Sequence, residues 1–204
     1  TFGSFGCFSF YPTKILGGYG DGGFITTNSY KLYNIAKRIR FYGIETLNKK
    51  NKYFNKYYAN INGLNSRLDE VNAKILDIKL RNIKHFIKRR REIANTYYKE
   101  LKNTVLKLPP KTVDSYDVFH LFTVYHKKRD KIVKLLREQG IQTRIIYPYP
   151  INKMAAYKNF SNNNNFESSL TKAKGIFSLP LYPELKTTDV LKVCKVLKKI
   201  LVNI

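Results

Sequence analysis

The residues best placed for covalent chemistry lie in Ser9-Phe10-Tyr11-Pro12-Thr13-Lys14-Ile15-Leu16-Gly17-Gly18-Tyr19-Gly20-Asp21-Gly22-Gly23. Lys14 leaves an apolar run into a glycine-rich loop, with the Ser9 hydroxyl five residues earlier, so the pair could offer an amine and a phosphate ligand to one small molecule. A lysine amine in neutral water is mostly protonated, and it must be desolvated or set beside positive charge before it can act as nucleophile or base. Phe10, Tyr11 and Ile15 supply apolar neighbours for that purpose. On position alone, one lysine among so many reads as solvent-facing and a glycine loop as a simple turn. Asp21 reads as a turn former rather than an acid catalyst. His85, His120 and His126 have no metal-ligand spacing, and no metal site is expected.

This segment resembles the SFxPxKxLGxxGDGG signature of the DegT/DnrJ/StrS-type pyridoxal-phosphate-dependent nucleotide-sugar aminotransferases. Three further blocks follow in the family's order: Gly63-Leu64-Asn65-Ser66-Arg67-Leu68-Asp69-Glu70 with Ala73 and Leu76, similar to GxNxRLDExxAAxL; Tyr147-Pro148-Tyr149-Pro150-Ile151-Asn152, similar to YPxPLH or YPxPLN; and Ser178-Leu179-Pro180-Leu181-Tyr182-Pro183, similar to SLPxxP. The resemblance implies an α/β protein with the PLP-dependent transferase fold (aspartate-aminotransferase-like, fold type I). Residues 1–101 would be the C-terminal part of the large PLP-binding domain with a long connecting helix, and residues 102–204 the small C-terminal domain.

The resemblance also implies roles. Lys14 would be the catalytic lysine that carries pyridoxal 5'-phosphate covalently and moves a proton between substrate and cofactor. Ser9 would donate to the cofactor phosphate, and Asn65 would reach the phosphate of the cofactor in a partner subunit, so the site would belong to a homodimer. Arg67 would bind the substrate or the amino donor's carboxylate with its planar fork, although it also reads as a surface residue of a helix's first turn. Tyr147 would contact substrate, or else be a buried aromatic at a strand end. The family often has His before this tyrosine; here Ile146 stands there, and a polar contact is lost. Asn152 occupies a position that is His in many members and Asn in some.

The reaction so implied passes an amino group from an amino acid, by family habit glutamate, to a nucleotide-linked keto-deoxysugar. The wording of SFYPTK and GYGDGG leans toward a 3-keto substrate, for a surface glycan or a secondary metabolite. A related dehydratase has histidine in place of the lysine, and Lys14 argues against it. The family's upstream half carries backbone donors for the phosphate, a ring-stacking residue and an aspartate for the pyridine nitrogen. The match begins only a dozen residues before Lys14, so the chain reads as a truncated or split product, and as a poor catalyst by itself. A silent remnant or partner subunit with the same fold is the alternative.

The elements that must position these residues follow from pattern. Phe5 to Phe10 and Phe24 to Thr27 read as strands, and Ser29 to Tyr42 as a helix stopped by Gly43. Asn48 to Asn62 reads as an irregular loop. Ser66-Arg67-Leu68-Asp69 has capping-box spacing, and apolar steps from Leu68 to Tyr97 predict one helix reaching about Leu101. After Pro109-Pro110, Val118 to Tyr125, Gln142 to Tyr147 and Ile176 to Leu181 read as strands, and Asp130 to Gln139 and Thr188 to Val202 as helices.

Composition bounds the setting. The 204 residues suffice for one large or two small cores, and no apolar run approaches the roughly 20 residues of a membrane span. Cys7 and Cys194 lie at opposite ends without CxxC or CxxH spacing, which fits a reducing cytoplasm rather than a disulfide framework. The net charge of +24 raises a basic nucleic-acid-binding module as a further alternative. Its lysines are scattered, however, and the Lys88-Arg89-Arg90-Arg91 run sits in a helical pattern as a solvated face, so nucleic acid is not the expected partner. Strand edges and apolar surface left uncovered by an absent half would make the isolated chain poorly soluble.

Overall fold

The computed structural model describes residues 1–44, 57–111, 113–160 and 166–204. It forms two compact units, Thr1–Ile83 and Lys84–Ile204.

In the first unit, strands β1 (Gly6–Ser9) and β2 (Gly23–Thr26) pair antiparallel, with Ser9 opposite Gly23 and Phe8 opposite Phe24. Aromatic and β-branched residues favour this pleated pairing. Helix α1 (Tyr30–Arg40) starts where the Ser29 hydroxyl accepts the Leu32 N–H at 3.3 Å. It stops at Gly43, whose φ of +75° a side chain would strain and whose Cβ would meet the Ile61 carbonyl. Residues 48–56 of the expected irregular loop lie outside the described residues.

The long helix predicted from Ser66 to Leu101 is two helices, α2 (Glu70–Arg81) and α3 (Ile83–Leu101). Ser66 is not the cap. Its own N–H goes to the Arg40 carbonyl at 3.0 Å, and the Asp69 carboxylate accepts from Val71 and Asn72 N–H at 2.9 and 3.1 Å. The break comes at Asn82, where φ −101° and ψ 3° leave the helical region and the side-chain amide donates back to the Ile78 carbonyl at 3.5 Å. An amide that bonds its own backbone competes with helix continuation.

In the second unit, α3 packs with α4 (Arg129–Glu138), α5 (Glu167–Gly175), α6 (Thr187–Val202) and an antiparallel pair, β3 (Phe122–Tyr125) with β4 (Ile176–Leu179). Ile93, Tyr97 and Leu101 of α3 join Phe122, Ile132, Leu136, Phe177 and Leu197 in one apolar core. The two compact units meet in the chain at the first turn of α3, between Ile83 and Lys84. Gln142 to Tyr147 is not a strand: Arg144 alone bridges Ser178, with backbone bonds of 3.2 and 2.8 Å, and Pro148 and Pro150 lack the donors to continue. Two 3-10 turns follow at Ile151–Lys153 and Ala155–Phe160. Helix α5 escaped the sequence reading because ESSLTKAKG has little apolar periodicity; it buries only Ala173 and Gly175.

Candidate functional site

Ser9 ends β1, and the chain then folds into a loop that Phe10 clips at both sides: Phe10 N–H donates to the Gly22 carbonyl and Gly18 N–H donates to the Phe10 carbonyl, each at 2.8 Å. Inside it the Lys14 N–H donates to the Tyr11 carbonyl at 2.8 Å, a tight turn that sets the direction of the lysine side chain. Gly17 is required, because a Cβ there would collide with the Pro12 carbonyl. The Ser9 hydroxyl accepts the Tyr11 N–H at 3.3 Å and keeps its own proton for donation. Lys14 is half-buried, and among the described residues its ammonium makes no hydrogen bond or ion pair.

Asn65 and Arg67 belong to a segment laid along the end of α1. Leu64 N–H donates to the Ile39 carbonyl at 2.7 Å, Tyr42 N–H donates to the Leu64 carbonyl at 3.0 Å, and Asn65 bridges Phe41. Both side chains are exposed, with the Arg67 guanidinium 5.6 Å from the centre of the Phe41 ring. Ser9, Lys14, Asn65 and Arg67 thus lie in one unit, although none bonds another directly among the described residues. Tyr147 lies in the second unit and is 66% exposed, so it is not the buried aromatic that the sequence also allowed.

One of the four blocks proves to be a structural support. Leu181 and Pro180 of SLPLYP give their carbonyls to the buried Arg90 at 3.2 Å and to the Tyr97 hydroxyl at 2.8 Å, and Arg90 also takes the carbonyls of Phe119 and His120 at 3.2 Å. Burial lowers the pKa of this guanidinium from its ordinary value, with the Glu184 charge opposing the shift. Arg90 sits in the basic run read as a solvated face, so that reading is corrected at this residue: three backbone carbonyls accept from its Nη1, while its buried Nε has no partner among the described residues.

Sequence reasoning missed two residues of α2. The Asn72 side-chain oxygen accepts the Tyr19 N–H at 3.0 Å, and the Lys79 ammonium donates to the Gly17 carbonyl at 2.6 Å. Among the described residues no cluster of three His, Cys, Asp or Glu is placed to hold a metal, and no helix is long and apolar enough to cross a membrane.

Residues 1–198 match the model of the DegT/DnrJ/EryC1/StrS aminotransferase family. The chain is 38% identical over 188 residues to a "Pleiotropic regulatory protein" of Geobacillus stearothermophilus, covering 90% of this chain and 48% of the relative. It is 38% identical over 184 residues to a dTDP-3-amino-3,4,6-trideoxy-alpha-D-glucose transaminase of Micromonospora megalomicea subsp. nigra, covering 87% and 47%. The crystal structure of a DegT DnrJ EryC1 StrS aminotransferase from Brucella abortus superposes with a TM-score of 0.88 at 30% identity, over 98% of this chain and 51% of that one. The chain spans about half the length of the curated relatives it matches. Its α/β architecture is that of the corresponding part of these sugar aminotransferases.

Proposed function

Because the chain belongs to the DegT/DnrJ/EryC1/StrS aminotransferase family, we propose that it serves a pyridoxal-phosphate-dependent transfer of an amino group from an amino acid, glutamate by preference, to a nucleotide-linked keto-sugar. The observation that carries this reading is Lys14: a half-buried amine without a protein partner among the described residues, held at a glycine loop whose first residue offers a hydroxyl. An amine and a hydroxyl donor so arranged fit an aldehyde-bearing phosphate ester.

Ser9 would hold the cofactor's phosphate through its free hydroxyl proton, and Asn65 would donate its amide N–H to the phosphate held by a second copy of the chain. The exposure of Asn65 leaves it able to do so. When bound, pyridoxal phosphate supplies an electron sink for proton removal next to nitrogen. Lys14 Nζ would hold the cofactor, and once released would carry the proton at the reacting carbon. Arg67 would orient a carboxylate by its two-pronged donor face, and the Tyr147 hydroxyl would bind sugar or phosphate oxygen. The 3-amino product in the name of the Micromonospora relative favours a 3-keto substrate. A homodimer in the cytoplasm, where the two free thiols stay reduced, completes the reading.

The test is to incubate the protein with pyridoxal phosphate, reduce with borohydride and map the modified lysines by mass spectrometry. Lys14 should be the preferred site, and Lys14→Ala should abolish both that label and the lysine-dependent absorbance. Label spread over surface lysines with no preference for Lys14 would overturn the assignment. Turnover of 4-keto sugars alone would reverse the choice of substrate. A second reading, a regulatory protein that keeps the fold, is favoured by the name of the Geobacillus relative. It predicts Lys14 labelling without amino transfer to any nucleotide-linked keto-sugar.

A further inference from the structure

The backbone that follows Lys14 is held from one side by α2. Tyr19 N–H donates to Asn72 Oδ1 across 53 residues of sequence, and the Lys79 ammonium reaches the Gly17 carbonyl across 62. Lys79 also stands 5.0 Å from the centre of the Tyr19 ring. Asn72 and Lys79 are seven residues apart, about two helical turns, and so share one face of α2. Gly18 fills the space between loop and helix, since a Cβ there would run into the Asn72 amide.

Ordinary packing would not select these side chains. Asn72 is only 9% exposed, and a buried amide is costly unless bonded, so leucine would serve better if filling space were the need. The acceptor is instead spent on a backbone N–H of a loop that belongs to neither helix nor strand. Lys79 likewise takes a loop carbonyl. With Gly17, Gly18 and Gly20 in the loop, an unheld backbone would spread over many conformations. Phe10 closes the loop's two ends, and α2 holds its middle.

We propose that Asn72 and Lys79 are positioning residues for Lys14: they touch no reacting atom and set, through the loop, how the amine is presented to the cofactor. The inference rests on the reading of Lys14 as the cofactor-bearing lysine. It also joins the two parts of the candidate site, because Asn65 and Arg67 lie in the segment leading directly into α2.

The test reads reduced pyridoxal-phosphate label on Lys14 relative to label on Lys134, an exposed lysine of α4, within the same protein. Asn72→Leu keeps volume and loses the acceptor, and it should lower the ratio about tenfold, as loss of one buried hydrogen bond would. Asn72→Asp keeps the acceptor and should restore a ratio close to the parent's. A Leu variant that labels Lys14 like the parent would overturn the proposal, as would an equal fall in both variants. Should the Leu variant not fold, Lys79→Met against Lys79→Arg decides in the same way, the first lowering the ratio and the second sparing it. A parent ratio near one would instead sink the cofactor-lysine reading, and this inference with it.

Discussion

The two cysteines differ first of all in burial. Cys194 sits in the core on α6, and its thiol is pushed up to about 12, first by burial and then by the Glu100 charge, with Lys198 opposing. Cys7 is exposed on β1. Since the thiolate is the nucleophile, an alkylating reagent at neutral pH should label Cys7 promptly and Cys194 only after denaturation. Peptide mapping before and after guanidinium checks this, and equal labelling in the native protein would contradict the packing around α6. Residues of this kind were visible in the sequence as types but not as environments. Lys14 and Ser9 could be singled out because their chemistry and spacing are local. Asn72 and Lys79 could not, because their partners lie 53 and 62 residues away.

At the scale of elements, the start of α2 separates two readings of one motif. The Asp69 carboxylate accepts both N–H groups of the first turn, while Ser66 lies outside the helix. Asp69→Ala should cost about 1 kcal/mol of stability, and Ser66→Ala should be nearly neutral. Urea unfolding monitored by circular dichroism distinguishes them, and a larger loss in the Ser66 variant would restore the capping box. The apolar rhythm from Leu68 to Tyr97 predicted helix correctly and continuity wrongly. Periodicity survives a single turn-forming residue such as Asn82, so it does not mark the break between α2 and α3.

At the scale of the molecule, the core is unevenly shared. Ile93, Tyr97, Phe122, Phe177 and Leu197 are essentially inaccessible in the second unit. Among the described residues of the first unit, Ile44 and Leu76 are the buried hydrophobics, and Phe8, Phe24 and Ile25 are more than half exposed on the two faces of β1 and β2. The second unit also carries an ion pair between distant positions, Lys198 Nζ donating to Glu100 Oε2 at 2.7 Å. This bond, with the Lys198 charge, holds the Glu100 carboxyl below the usual carboxylate range, and Lys99 adds a smaller pull. A depressed carboxylate stabilises the fold above its ordinary pKa, about 4.3, and that contribution is lost as pH falls through the lowered value. Lys198→Met should therefore flatten the acid limb of stability against pH while changing the slope near neutrality little. Denaturant midpoints from about pH 3 to 7 would check it. An unchanged acid limb would remove the pair from the account.

The family and the α/β class were legible in the sequence by itself, because four ordered blocks carry them and glycines, a proline and a lysine at fixed spacing report backbone geometry locally. Strand and helix positions followed wherever apolar periodicity was strong, as in α1, α4 and α6. Only the tertiary structure decided which N–H each acceptor serves and where the cores lie. It turned Arg90 from surface charge to buried clasp, reduced the run from Gln142 to Tyr147 to a single bridge, and placed α2 against the Lys14 loop. The reason is physical: hydrogen bonds and burial join residues far apart in the chain, and their partners are chosen by packing rather than by neighbouring sequence.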